Sequence, residues 1–264
     1  MKVNKGFATL AALCASVFVV GTSEYLIAGL LPQVGEDLDV SVGTAGQAVT
    51  AYALGVVVGG PLMALLTSRL PRKGLAIATT AVGFSGVATV FTYIAPLLTR
   101  VSGFSAAAVS GLLLAYGAGS FLGNLTAGKL TDKSMSATVR GVFGGLAGTL
   151  LLVPFAVVWQ PTAVAAVLVL GLLATATIAP LQGLILHHAG AAPNLAVSVN
   201  VGAFNLGAAA GSVIGGTIVA AGALRWTGLA GAVLSLIGLA LTYLVLPRTR
   251  TSAKDAAHEA PIAA

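Results

Sequence analysis

The sequence predicts an all-α polytopic membrane protein with eight transmembrane helices. Three observations carry this expectation. The 264 residues are 57% hydrophobic and only 8% charged, against roughly 25% charged residues in a soluble domain, and the mean hydropathy is +1.00. Apolar runs of the length needed to cross a hydrocarbon core, about 20 residues, recur along the whole chain. The lysines and arginines fall where those runs end.

The expected spans are 7–31, 44–66, 74–98, 105–127, 138–158, 162–186, 197–221 and 226–247. The first continues past Gly21 to Leu31, too long for a signal-peptide core, and reads as a retained helix. Short connections with turn chemistry separate the rest, and 248–264 reads as a polar, alanine-rich, disordered cytoplasmic tail. With both termini inside, Lys2, Lys5, Arg69, Arg72, Lys73, Lys129, Lys133, Arg140, Arg248, Arg250 and Lys254 lie inside, and only Arg100 and Arg225 outside. That division follows the positive-inside rule. It accounts for the net charge of +6 without a nucleic-acid face.

Glycines spaced by four mark helix faces suited to close approach: Gly55 and Gly59, Gly119 and Gly123, and Gly207, Gly211 and Gly215. Pro61, Pro96, Pro154 and Pro180 lie inside helices or near their ends, where they kink them. The single cysteine, Cys14, sits in an apolar run and reads as a packing residue. Protease, P-loop and hydrolase motifs are absent, so nothing in the sequence supports an enzyme, a cofactor or a metal site.

Glu24 is the one acidic residue within an apolar span. An ionisable group at membrane depth is costly and normally faces a cavity or a partner. Two readings stand: a proton-coupling carboxyl, or a structural glutamate bonded to nearby hydroxyls. Tyr93, Asn124, Gln182, Asn200 and Asn205 are further polar groups in the spans, each suited to bridge helices or to line a pathway.

The run from Gly21 to Lys73, opening "GTSEYLIAGLLPQ" and closing "LLTSRLPRK", resembles the first two helices of a bacterial major facilitator superfamily transporter. It is most similar to the drug:proton antiporter branch, which includes arabinose-efflux-permease-like and chloramphenicol-efflux-like proteins. The superfamily's loop after helix two follows a pattern close to GxLaDRxGRK. Here Arg69, Arg72 and Lys73 match it, while Ser68 replaces the aspartate and Pro71 the second glycine. "FTYIAPLLTRVSGFS" resembles the seventh helix and the loop after it. "GNLTAGKLTDKS" resembles the second copy of the loop motif, carried by Gly128, Leu130, Asp132 and Lys133. "VNVGAFNLGAAAGSVIGGTIVAAG" resembles the eleventh helix.

The resemblance implies a truncated major facilitator fold. Residues 1–73 would be a two-helix remnant of the N-terminal half and 74–247 a complete six-helix C-terminal half, with helices three to six missing at a join near residue 73. It implies proton-coupled efflux of a small amphipathic compound or drug across the bacterial inner membrane. Glu24 would couple protons, Thr22, Ser23, Tyr93, Asn124 and Asn205 would line the cavity, and Arg69, Arg72, Lys73, Gly128, Asp132 and Lys133 would form cytoplasmic gate loops. The implied partners are the lipid bilayer, protons, a small-molecule substrate and, for an active protein, a second copy of the chain. The alternative is a non-transporting, internally deleted remnant, or an assembly partner of another transporter.

Overall fold

The computed structural model describes residues 30–65, 74–187 and 193–246, and among them every regular element is helical. A helix at 30–37 (α1) leads into a turn where Asp39 adopts a positive φ of 51°. Ser41 then caps α2 (Val42–Ala45), its Oγ accepting from the Thr44 N–H at 3.1 Å. There follow α3 (Gln47–Leu65), α4 (Gly74–Phe91), α5 (Ile94–Pro96) with a π turn at Leu97–Val101, α6 (Ala106–Lys133), α7 (Met135–Ala156), α8 (Gln160–Ala176), α9 (Ile178–His187), α10 (Pro193–Ala220), a 3-10 turn at Leu224–Trp226 and α11 (Thr227–Val245).

Five segments are long and apolar enough to cross a membrane, with α8 and α9 together as one. A sixth exists if α4 and the piece after it, bent by 44°, form one span. This is a multi-pass membrane protein. The expected count of eight is not reached among the described residues. Helix α3 occupies the second expected span, whereas the first lies outside the described residues except for its last two.

One local expectation is met and one is corrected. Span 74–98 is bent, as the kink expected at Pro96 requires, and α4 stops at Phe91. Pro96 has no N–H to give to the Thr92 carbonyl four residues back, so the ladder breaks there. The chain re-forms with Leu97 N–H on Tyr93 O, then widens into the π turn with Ser102 N–H on Leu97 O. The second loop motif is not a loop. Helix α6 runs to Lys133 and α7 begins at Met135, so Gly128, Asp132 and Lys133 are helical. Ser134 alone separates the two helices, and its Oγ accepts from the Ala137 N–H to start α7. One cap is enough for the reversal.

Helix α4 is the centre of the bundle. It packs on α10 along one side and on α11 along the other. The α10 contact is a seam of glycines on carbonyls. A methyl group built on Gly207, Gly211 or Gly215 would stand 2.4, 2.4 or 2.6 Å from the carbonyl oxygens of Ala81, Ser85 and Thr89. Both series advance by four, so the helices run parallel in a fixed register. On the other side Gly86 and Gly231 meet reciprocally, each 2.5 Å in the same measure from the other's carbonyl oxygen. Gly238 lies against Gly83, so α11 runs antiparallel to α4. Helices α6 and α8 repeat the parallel seam, with Gly119 and Gly123 facing the Leu168 and Leu172 carbonyls, and Gly171 facing that of Tyr116.

The pairings obey an internal exchange. Swapping the triplet α4, α6, α7 with the triplet α8–α9, α10, α11 maps α4·α10 onto α8·α6 and α4·α11 onto α8·α7, and all four pairs are in contact. Helix α3 adds to the far side of α10.

At the bundle end where α4 and α10 finish, Gly103 (φ 73°) and Gly222 (φ 74°) make turns that side chains resist. Ser102 Oγ donates to Val157 O at 2.7 Å, which ties the π turn to the α7–α8 connection. Trp159 and Trp226 lie at this end, where membrane proteins place interfacial aromatics. The opposite end carries Lys129, Lys133 and Arg140. Arg140 donates to the Leu246 carbonyl and covers the Tyr243 ring at 4.3 Å, which fixes the end of α11.

The seam gives a direct test. Gly211→Ala forces a methyl group against a backbone carbonyl and lowers stability by about 1–3 kcal/mol. Gly148→Ala, where nothing lies within 4 Å, is neutral or raises stability by up to about 1 kcal/mol through helix propensity. Melting of the two purified variants in detergent separates them.

Candidate functional site

Two polar centres stand out among the described residues. The first lies at the tryptophan-bearing end, where the N-terminal segment meets α4 and α10. Tyr93 sits at the bend of α4 and is completely buried. Its hydroxyl donates to the Ser212 carbonyl at 2.9 Å. The Ser212 hydroxyl in turn donates to the Gly46 carbonyl at 3.1 Å, which links α10 to the start of α3. Only glycine fits around the ring: a methyl group on Gly46 or Gly216 would stand 2.6 or 2.7 Å from the Tyr93 hydroxyl, and one on Gly215 would stand 2.8 Å from Cε2. Leu31, Val42 and Ala45 complete a small apolar cluster with Tyr93, distinct from the main core.

The second centre joins three helices. Thr80 Oγ1 (α4) donates to Asn200 Oδ1 (α10) at 2.9 Å, and Asn200 Nδ2 donates to Gln182 Oε1 (α9) at 2.7 Å. Thr80 and Asn200 are fully buried. Of the two roles open to Asn200 and Gln182, bridging is the one this arrangement makes. Interhelical side-chain bonds of this kind contribute about 1 kcal/mol each.

The remaining sequence candidates do not converge. Thr22, Ser23, Glu24, Arg69, Arg72 and Lys73 lie outside the described residues. Asn124 is exposed on α6. Asn205 turns back on its own helix, with Nδ2 donating to the Val201 carbonyl at 3.0 Å. Tyr93 is enclosed rather than open to a cavity in this conformation. Asp132 and Lys133 are exposed on the last turn of α6, with Gly128 one turn earlier. No group of three or more His, Cys, Asp or Glu residues is placed to hold a metal among the described residues.

Sequence reasoning missed Ser212, Gly46 and Thr80. Ser212 is visible only as the polar residue inside the Gly211–Gly215 stripe. Gly46 lies in a stretch where a glycine reads simply as a turn. Thr80 is one of several hydroxyl residues on α4 that bond within the membrane-spanning part.

The Major Facilitator Superfamily profile matches residues 13–99 and 84–264. The chain belongs to the Major Facilitator Superfamily. Relatives within the superfamily agree. The MFS-type transporter YfhI of Bacillus subtilis is 36% identical over 166 residues, covering 62% of this chain and 42% of the relative. The inner membrane transport protein YdhP of Escherichia coli is 24% identical over 378 residues, covering 92% of this chain and 96% of the relative. The chloramphenicol resistance protein of Streptomyces lividans is 48% identical over 61 residues, covering 23% of this chain and 16% of the relative. The chain thus spans less than half the length of the first relative and nearly all of the second. The YdhP alignment of 378 positions exceeds the 264 residues of this chain by 114, so at least that many positions of the relative have no counterpart here.

The polar bridge makes a prediction of its own. Asn200→Ala removes the Gln182 partner and leaves the Thr80 hydroxyl only the Ala76 carbonyl at 3.3 Å, and destabilises by about 1–3 kcal/mol. Ser235 is fully buried with an unpaired hydroxyl, so Ser235→Ala changes stability by no more than about 0.5 kcal/mol, or raises it. Thermal unfolding in detergent measures both.

Proposed function

We propose that this chain is an inner-membrane efflux transporter that exports a small amphipathic compound or drug in exchange for protons. The observation that carries the efflux reading is the 61-residue stretch shared at 48% identity with a chloramphenicol resistance protein. Glu24 carries the proton, and Thr22, Ser23, Asn124 and Asn205 face the substrate path. Both termini are cytoplasmic. The placement of Lys129, Lys133 and Arg140 at one end of the bundle, opposite Glu36, Asp37 and Asp39, supports this orientation.

In this reading, residues 74–247 are a complete six-helix half and 1–73 the first two helices of the other. The exchange of the two triplets within 74–246 is what inverted three-helix repeats produce, and it supports the first part. The positions of YdhP without a counterpart support a missing block of helices three to six. Alternating access uses two halves rocking about a midplane site, so an active form draws on a second copy of the chain.

A second reading, a non-transporting remnant or an assembly partner, is favoured by α6. Its outer face leaves Leu114 and Phe121 at 78% and 67% exposure beside exposed Gly117 and Asn124. Proton movement in proteoliposomes separates the two. The transporter releases protons when chloramphenicol, as probe, is added across a pH gradient, and Glu24→Gln abolishes the response. Flux equal to that of empty liposomes at every lipid-to-protein ratio, with probes of several structural types, leaves the remnant.

A further inference from the structure

We propose that Tyr93 is a releasable latch that closes one mouth of the bundle by holding α3 against α10. The inference rests on the transporter reading for its purpose, but on geometry for its substance. The ring fills a socket whose walls are Gly46 from the N-terminal segment and Gly215 and Gly216 from α10. Each lacks the methyl group that would exclude it. The Tyr93 hydroxyl and the Ser212 hydroxyl then act in relay, Tyr93 on the Ser212 carbonyl and Ser212 on the Gly46 carbonyl. Three separate elements are thus joined through two side chains and two hydrogen bonds.

The latch is built to release. Both acceptors are backbone carbonyls, and Leu31, Val42 and Ala45 around the ring lie outside the main core, with Leu224 packing against both clusters. Tyr93 stands at the point where the α4 ladder is already broken and the chain bends by 44°, next to a π turn, a feature found at moving and functional positions. A swing of the side chain alone leaves the backbone bonds of Tyr93, its N–H on Val90 O and its carbonyl under Leu97 N–H, in place. One turn further along α3, the Thr50 hydroxyl is buried and has no hydrogen-bond partner among the described residues. A buried group left unpaired is unfavourable, so the first turn of α3 gains from an opening that admits water.

Thiol accessibility tests this in the full chain. In a Cys14→Ala background, Thr50→Cys is reacted with a membrane-impermeant maleimide in right-side-out and in inverted vesicles. With Tyr93 intact, labelling is slow from both sides. Tyr93→Ala raises the rate at least tenfold from one side only. Tyr93→Phe and Ser212→Ala, which delete one hydrogen bond each and preserve the shape, raise it several-fold from that same side. Unchanged labelling in all three variants overturns the proposal, as does an equal rise from both sides, which reports general loosening. The measurement needs no substrate. One-sided labelling without proton flux keeps the latch and removes the transport reading. Flux with unchanged labelling removes the latch alone.

Discussion

The structure depends on the contact between the glycine stripe of α10 and three successive-turn carbonyls of α4. In a bilayer, lipid tails are as apolar as leucine, so helices gain little from burying apolar side chains against one another. What holds them is close van der Waals contact and weak polar contact between backbones, including Cα–H to carbonyl oxygen. Gly207, Gly211 and Gly215 allow α10 to lie directly on Ala81, Ser85 and Thr89. The Gly86–Gly231 pair brings α11 in from the other side. Helix α4 is therefore clamped along its length between two partners of opposite direction. The Thr80–Asn200–Gln182 bridge sets the same α4–α10 register by hydrogen bonding and extends it to α9.

That constraint propagates. The α6–α8 seam repeats it in the second set of helices, so the bundle is built twice from one kind of contact. The two copies are not used alike. Helix α10 carries α3 on its free side, whereas the corresponding side of α6 is exposed among the described residues. Among the described residues, only one of these two equivalent faces is covered. The Tyr93 socket exists only because α10 presents glycines on both sides, Gly211 and Gly215 to α4, Gly216 to the N-terminal segment. The seam that stabilises the bundle and the closure at its end are thus one helix's work.

Much of this was legible in the sequence. The membrane class followed from composition, and apolar length found the five spans, or six with the bent pair, that the described residues form. The stripes at Gly119–Gly123 and Gly207–Gly215 were correctly read as close-approach faces, because four-residue spacing fixes a face, but Gly55 has nothing within 4 Å and was misread by the same rule. The partner itself was not legible. Nothing local says that Gly211 meets Ser85, since a glycine stripe specifies closeness and not identity. Tyr93 was visible as a polar group in a span but not as a plug, because its socket is assembled from residues more than 40 and more than 100 positions away. The second loop motif was mistaken for a connection because its charges suggest solvent. Solvent at a helix end does not end the helix, and a single serine cap does. Pro96 announced a kink, but the bend falls four residues earlier, where the missing N–H leaves its carbonyl.

The most direct test of this account is the distance between the Gly211 Cα and the Ser85 carbonyl carbon, measured by dipolar recoupling in solid-state NMR on the selectively labelled full chain in lipid bilayers. With the Gly211 methyl position 2.4 Å from the Ser85 oxygen, standard bond lengths bound that separation at about 5 Å. A strong dipolar coupling at that distance is the result the account predicts. A separation of about 8 Å or more, beyond the reach of van der Waals contact between the two backbones, would contradict it.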